Sequence, residues 1–360
     1  MKILAIDARM LTPDRDYGSA RMAGLLRALR ELGHEVAFVA DDPTAPARYA
    51  QDLARDAINV IHINADLHLR QDGGRYDIII LSRVGIAAKY DEALRRCAPK
   101  ARIVFDTVDL HFVREYRAAK LSGNTARLRK ALHTRELELA AARAADAIVV
   151  VSPLEKKALR RELPEAVVHV VTAAHELHKC QETFAARNGI LFVGNFDHLP
   201  NLDAVQHYFN EIHPLLVSKL PGTPVFLVGG NPPSAARDLA SENVIVTGHV
   251  PDLAPYFSRC RLSIAPLRFG AGIKGKLLDS FSYGVPVVAS PLAAEGLPVT
   301  PDRDLIVADT PASFADAVVR VHVNEALWMA LSRAGMELIT RDFSPDTVRR
   351  QLSGLLSSFA

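Results

Sequence analysis

The stretch Ile264 to Leu297, IAPLRFGAGIKGKLLDSFSYGVPVVASPLAAEGL, decides how the chain is read. It opens on the end of an apolar strand and enters a glycine-rich loop, Arg268-Phe269-Gly270-Ala271-Gly272. Ile273, Leu277, Leu278 and Phe281 then recur at helical spacing, and Gly284 stands where a helix is expected to stop. Val285 to Ser290 reads as a buried strand, and the small-residue loop Pro291 to Gly296 carries Glu295. Glycines let backbone amides approach an anion, and the positive end of the following helix favours negative charge there. Lys274 and Lys276 add formal charge at the same place, and Asp279, one turn on, can accept hydrogen bonds from hydroxyls. The combination suits a sugar nucleotide, with pyrophosphate on amides and lysines and ribose on a carboxylate. The plain alternative is an ordinary strand–loop–helix unit with solvated lysines, because glycine loops are common in α/β folds.

These residues resemble the donor-binding segment of the retaining GT-B glycosyltransferases of family 4. The match is to the branch reading G-x-G-x-K-x-K-x-x-E/D, then a helix and G-x-P-V-V. Where that family has two glutamates eight positions apart, Asp279 stands for the second, which binds the ribose, and Ala271 for the first. The family's side-chain contact with the donor sugar therefore does not carry over, and the resemblance leaves the backbone of Gly270, Ala271, Gly272 and Ile273. The loop Asn195-Phe196-Asp197-His198-Leu199-Pro200-Asn201 lacks the arginine and lysine with which many members grip the diphosphate. That role falls by resemblance to Arg268, Lys274 or Lys276. The turn Gly248-His249-Val250 is implied to lie beside the nucleotide base, and Glu295 joins the donor-binding set.

Length and composition agree with this class. The 360 residues suffice for two domains, and 49% apolar with 23% charged residues is ordinary for a globular protein. Cys97, Cys180 and Cys260 are odd in number and far apart, so they form neither a zinc nor a disulfide pattern. No apolar run is long enough to span a bilayer, and the start, MKILAIDARM, reads as a strand. The net charge of +2 is uneven: residues 1 to 165 hold 28 Lys/Arg against 23 Asp/Glu. Arg114 to Arg161 alone holds 12 basic and 5 acidic side chains. Such a patch fits an anionic membrane or a phosphorylated acceptor, or is simply a solvated helix face.

The first half opens β-loop-α-β without G-x-G-x-x-G, which argues against a dinucleotide site. Gly18 and Ser19 resemble the glycine turn that family 4 places at the cleft. Asp14-Arg15-Asp16 and Asp302-Arg303-Asp304 have the form of a metal-binding D-x-D, but without further ligands we read neither as a metal site. Val104 to Phe112, VFDTVDLHF, sets Asp106, Asp109 and His111 at the carboxyl end of a parallel strand, where open α/β sheets place ligands. Asp109 and His111 are candidate catalytic or acceptor-orienting residues, with Arg83 a neighbour; helix capping is the alternative role.

Both halves alternate strand and helix. The expected fold is α/β, GT-B: two doubly wound Rossmann-like domains facing across a cleft, with a C-terminal helix crossing back to the first. The expected boundaries are 1–172 for an acceptor-binding domain, 173–188 for a linker, 189–342 for a nucleotide-sugar domain and 343–360 for the returning helix. The resemblance implies transfer of a sugar from a nucleotide-diphosphate sugar, the co-substrate, to a glycan, lipid-linked or small-molecule acceptor, with retention and without metal or cofactor. Lys276 is the third candidate catalytic residue, stabilising the leaving diphosphate. The expected setting is polysaccharide biosynthesis in the cytoplasm, with peripheral contact at an anionic inner membrane face and no nucleic-acid partner. A non-catalytic GT-B subunit and a GT-B nucleotide-sugar epimerase remain the competing readings.

Overall fold

The structure is a computed structural model that describes residues 1–178 and 182–359; Cys180 lies outside them. Two compact units divide the chain. One runs from Met1 to Ala174 and resumes at Pro345, and the other spans His175–Ser344.

The first unit contains strands β1 (Lys2–Arg9), β2 (Glu35–Asp42), β3 (Asn59–Ile61), β4 (Ile78–Ser82), β5 (Arg102–Asp106), β6 (Ala147–Val150) and β7 (Val168–Val170). They form one parallel sheet in the order β3-β2-β1-β4-β5-β6-β7. Apolar runs such as IIIL in β4 and AIVV in β6 are what a parallel sheet covered on both faces requires. Successive side chains alternate between the faces: Ile3 and Ala5 enter one core cluster, Leu4 and Ile6 the other. Helices α1 (Tyr17–Glu31), α2 (Arg48–Arg55), α3 (Ala65–Asp72), α4 (Val84–Cys97), α5 (His111–Ser122), α6 (Thr125–Ala144) and α7 (Pro153–Glu162) connect the strands. Gly123, in the left-handed region at φ 62°, closes α5 before α6 begins.

The second unit contains β8 (Ile190–Val193), β9 (Val225–Val228), β10 (Val244–Gly248), β11 (Leu262–Ala265), β12 (Val287–Ala289) and β13 (Ile306–Val307). Their order, β10-β9-β8-β11-β12-β13, is again all parallel. Helices α8 (Leu199–His207), α9 (His213–Val217), α10 (Ser234–Arg237), α11 (Ala254–Arg259), α12 (Gly275–Ser282), α13 (Pro291–Ala294), α14 (Pro311–Val323) and α15 (Glu325–Asp342) accompany it. The last helix, α16 (Pro345–Ser357), belongs to the first unit, burying Val348, Leu352, Leu355 and Leu356 in the core that holds Leu25 and Leu29 of α1.

Some local expectations change. Helix α1 begins at Tyr17, because Asp16 caps it: its Oδ1 accepts from Ser19 N at 2.9 Å. Gly18 and Ser19 therefore lie in the first turn of α1, not in a glycine turn. Helix α4 begins at Val84, with Gly85 in its first turn. A π segment, Tyr208–Ile212, separates α8 from α9. Pro214, which has no N–H to donate, follows that slipped turn. Ile273 precedes α12, which starts only at Gly275.

Candidate functional site

In the second unit the chain order reverses between β8 and β11, and open α/β sheets bind ligands at the carboxyl ends of such neighbours. Two loops emerge there, 194–198 after β8 and 266–274 after β11. The backbone at this edge is packed to contact. A Cβ on Gly229 would fall 1.9 Å from the carbonyl oxygen of Gly194, so only glycine fits at the end of β9. The Asn201 side chain, from the first turns of α8, lies over Gly194, donates from Nδ2 to Asn195 O at 2.7 Å, and accepts from Lys276 Nζ at 2.6 Å.

Lys276 is thereby drawn inward. Its Nζ also lies 4.1 Å from the centre of the Phe192 ring. Burial, aided by the like charge of Lys274 and opposed by Asp279, pushes its pKa down to about 7. Lys274 precedes α12 without giving it a side-chain cap, and its own Nζ donates to Gly272 O at 2.6 Å. The first amides of α12 thus lack a side-chain cap beside two ammonium groups, next to a loop whose Gly270 and Gly272 have φ of 153° and 65°. Ala271 and Ile273 complete that loop, both half-buried. Asp279 Oδ1 lies 3.3 Å from His175 Nε2.

The other donor-site candidates are distributed along the same edge. Gly248 (φ 74°) ends β10 and its carbonyl accepts from Gly229 N at 3.1 Å, which brings His249 against Gly230. Val250 packs in the apolar cluster around Phe257. Glu295 closes the short helix α13. Arg268 is committed elsewhere: Asp203 of α8 holds its guanidinium at two points, at 2.9 and 2.5 Å. Beyond Arg268 a cavity of about 330 Å³ opens between His207, Ser290, Leu292 and Thr310.

In the first unit, charged groups gather at the carboxyl ends of β1, β4 and β5. Arg83 and Val108 occupy the left-handed region at φ 78° and 63°. For a β-branched residue this is strained, and such positions cost about 1–3 kcal/mol each. Arg83 Nε donates to Asp7 Oδ1 at 2.9 Å, and a Cβ on Gly18 would meet the Arg83 Nη2 at 2.8 Å. Gly18 is thus the space into which the guanidinium fits. Burial raises the pKa of Asp7 despite Arg83 and Ser82. Ser19 is spent on the α1 cap, its Oγ donating to Asp16 Oδ2 at 2.6 Å.

Asp109 and His111 do meet. His111 Nδ1 is 3.0 Å from both the Asp109 carbonyl and Asp109 Oδ1, and 3.6 Å from Glu138 Oε1. Arg114 forms an ion pair with Asp109 Oδ2. Burial resists ionisation of Asp109, but Arg114, His111 and Arg83 prevail and hold its pKa below the ordinary value. Burial likewise resists charging His111, but Glu138 and Asp109 carry its pKa above the ordinary value. The pair is therefore a carboxylate oriented against an imidazole whose charged form its neighbours favour. The start of α5 has no cap of its own; Glu138 of α6 accepts from His111 N and Phe112 N at 3.0 Å, and Glu155 of α7 accepts from Leu110 N at 3.1 Å. Asp106 departs from the expectation. It is buried and bound to Arg21 at 2.8 Å, because the last residue of β5 still points into the interior.

Asn201, Phe192, Glu138, Arg114 and Asp7 were not singled out from the sequence. Asn201 and Lys276 are 75 positions apart and Asp7 and Arg83 are 76, so no local spacing marks either pair. The two acid triplets have other partners: Asp14 pairs with Arg48, Asp16 caps α1, Asp302 pairs with Arg320 and Asp304 with Arg303. Among the described residues no group of three or more His, Cys, Asp or Glu is placed to hold a metal ion.

Two parallel-sheet units, the second with a glycine- and lysine-bearing loop–helix junction at its switch point, have the architecture of the GT-B fold. The family described as Glycosyl transferases group 1 matches residues 187–324, within the second unit, and the two sheets have the GT-B architecture. A protein of Klebsiella pneumoniae, "Uncharacterized 44.6 kDa protein in cps region", is 26% identical over 159 residues, 41% of this chain and 39% of that one. Sucrose-phosphate synthase from Thermosynechococcus elongatus superposes with a TM-score of 0.72 at 17% identity, covering 99% of this chain and 98% of the other. HepE of Anabaena, solved with UDP and glucose, gives 0.74 at 14% identity over 99% and 100%. At these identities the structural likenesses speak for the fold.

Proposed function

We propose that the protein is a retaining glycosyltransferase that moves a sugar from a nucleotide-diphosphate sugar to a glycan, lipid-linked or small-molecule acceptor without a bound metal. The observation that carries this is Lys276: an ammonium half-drawn into the protein at the switch point, with Lys274 and the start of α12 beside it. Holding a lysine near its neutral form is costly in folding terms and is repaid when an anion arrives.

In this reading the diphosphate accepts hydrogen bonds from the 270–273 amides, Lys274 and Lys276, and Asp279 fixes the ribose hydroxyls. As the bond from the anomeric carbon to the phosphate oxygen breaks, charge grows on the departing diphosphate, and these preorganised donors stabilise it; one such donor is typically worth about 10²–10³ in rate. The acceptor hydroxyl bonds to the anomeric carbon on the same face, and its proton passes to the departing phosphate oxygen. Asp109, oriented by Arg114 and beside His111, holds and polarises the acceptor together with Arg83. The HepE complex with UDP and glucose supports a uridine nucleotide as the first donor to try, and the Klebsiella relative's place in a cps region supports a polysaccharide setting.

A melting-temperature screen against UDP-, GDP- and dTDP-sugars tests the proposal, because a ligand that binds only the folded state stabilises it by mass action. At least one nucleotide sugar is expected to raise the melting temperature, and turnover of that sugar is expected to fall at least tenfold in Lys276→Ala. Turnover unchanged in a folded Lys276→Ala removes the role of the lysine.

A further inference from the structure

We propose that the hairpin of α5 and α6 is a docking surface for a lipid bilayer carrying acidic headgroups. Each helix buries a small residue, Ala119 of α5 and Ala131 of α6, both nearly inaccessible. Glu115 ties the two helices, accepting from Thr134 Oγ1 at 2.7 Å and lying 3.6 Å from Lys130 Nζ. Larger apolar side chains are left outside: Tyr116 is 41% exposed, Leu121 48%, Leu132 49% and Leu137 38%. Single exposed leucines are ordinary on protein surfaces, but these four fall within one hairpin whose turn, Lys120 to Arg127, is exposed throughout.

The charge along α5 and the turn is mostly positive, while around Leu137 it is mixed, with Glu136 exposed beside Arg135. Between Arg114 and Lys130 there are six Lys/Arg and one acidic residue, Glu115. Lys120 Nζ lies over the Tyr116 ring, 5.5 Å from its centre. The Arg135–Glu162 pair at 2.6 Å joins α6 to α7, which brings Lys156, Lys157, Arg160 and Arg161 on the adjoining helix. Cations interleaved with leucines and a tyrosine suit an interface of acidic headgroups over acyl chains. A dissolved polyanion would match the charge but leave the leucines in water. The root of the hairpin is the Asp109–His111 turn, so docking would hold that turn close to the membrane.

Co-sedimentation of the full chain with vesicles tests this directly. The vesicles are equal parts phosphatidylglycerol and phosphatidylcholine, or phosphatidylcholine alone, at low and high salt. The protein is expected to pellet with the anionic vesicles at low salt and to be released by high salt. Removing three cations in Lys120→Gln/Arg127→Gln/Arg129→Gln should weaken binding on the order of 100-fold, and Leu121→Ser/Leu132→Ser about tenfold or more. The melting-temperature rise given by the nucleotide sugar should be unchanged in both variants, which shows them folded and separates this proposal from the donor-site reading. Equal pelleting with neutral vesicles, wild-type binding by the triple variant, or retention on dissolved heparin without any vesicle binding would each overturn it.

Discussion

Lys276 should take up a proton when a nucleotide sugar binds. In the ligand-free protein burial holds its pKa at about 7, with Lys274 adding to the effect and Asp279 opposing it. At pH 7 the lysine is therefore about half charged. A diphosphate beside Nζ favours the charged form, so the bound-state pKa climbs back toward the ordinary lysine value near 10.4. The diphosphate diester of the donor keeps its charge between pH 6 and 8, whereas the charged fraction of Lys276 in the free protein falls from about ten-elevenths to about one-eleventh. Affinity should accordingly drop about tenfold across that range, or about 1.4 kcal/mol. Isothermal calorimetry at pH 7 in phosphate and in Tris, buffers with different ionisation heats, should show uptake of about half a proton. Lys276→Arg keeps its charge and should flatten the pH dependence. Equal affinity at pH 6 and pH 8, with heats independent of buffer, would refute the reasoning.

The same shift makes a stability prediction. The unfolded lysine titrates near 10.4 and the folded one near 7, so below about pH 7 the full cost of the buried ammonium is present and it is relieved as pH rises toward 10. Lys276→Met should therefore raise stability by on the order of 1–2 kcal/mol at pH 7, after allowance for solvent contact, with a gain that shrinks at pH 9; chemical denaturation at the two pH values measures it. Asp279→Ala should leave the fold intact and weaken donor affinity about tenfold, seen as a smaller melting-temperature rise at fixed ligand; an undiminished rise contradicts the ribose role. Gly229→Ala puts a carbon 1.9 Å from Gly194 O and should cost more than about 3 kcal/mol in urea unfolding, together with donor binding. Leu352→Ala, whose side chain is 3% exposed in the core shared by α16 and α1, should cost about 2–4 kcal/mol; a loss below about 1 kcal/mol would show that α16 is not held there by packing.

What the sequence made legible was what repeats locally. The apolar runs marked the strands, and the glycine loop with Lys274 and Lys276 marked the loop–helix junction after β11, because strand periodicity and helix-start chemistry are properties of neighbouring residues. Less legible was anything set by contact across the sheet. Lys276 was read as a cation closing over phosphate, but its inward turn depends on Asn201 and Phe192, which come from α8 and β8. Asp106 shared one short motif with Asp109 and His111, but strand pleating turns it into the interior, where Arg21 neutralises it. Gly18 was read as a turn glycine. Its actual reason is the Arg83 guanidinium, packed where a Cβ would sit, and nothing in the pattern around Gly18 shows that. Among the described residues no helix is long and apolar enough to cross a membrane, and the basic stretch seen in the sequence is the exposed α5–α6 hairpin with α7.

The central claim is that a diphosphate settles where the 268–274 loop meets α12. A crystal structure of the protein with the nucleotide sugar that most raises its melting temperature tests this most directly. The account predicts diphosphate oxygens within hydrogen-bonding distance of Lys276 Nζ and of the amides between Gly270 and Lys276, with the Lys276–Asn201 bond released or shared. A donor bound with its diphosphate away from this loop, and Lys276 still held by Asn201 alone, would contradict it.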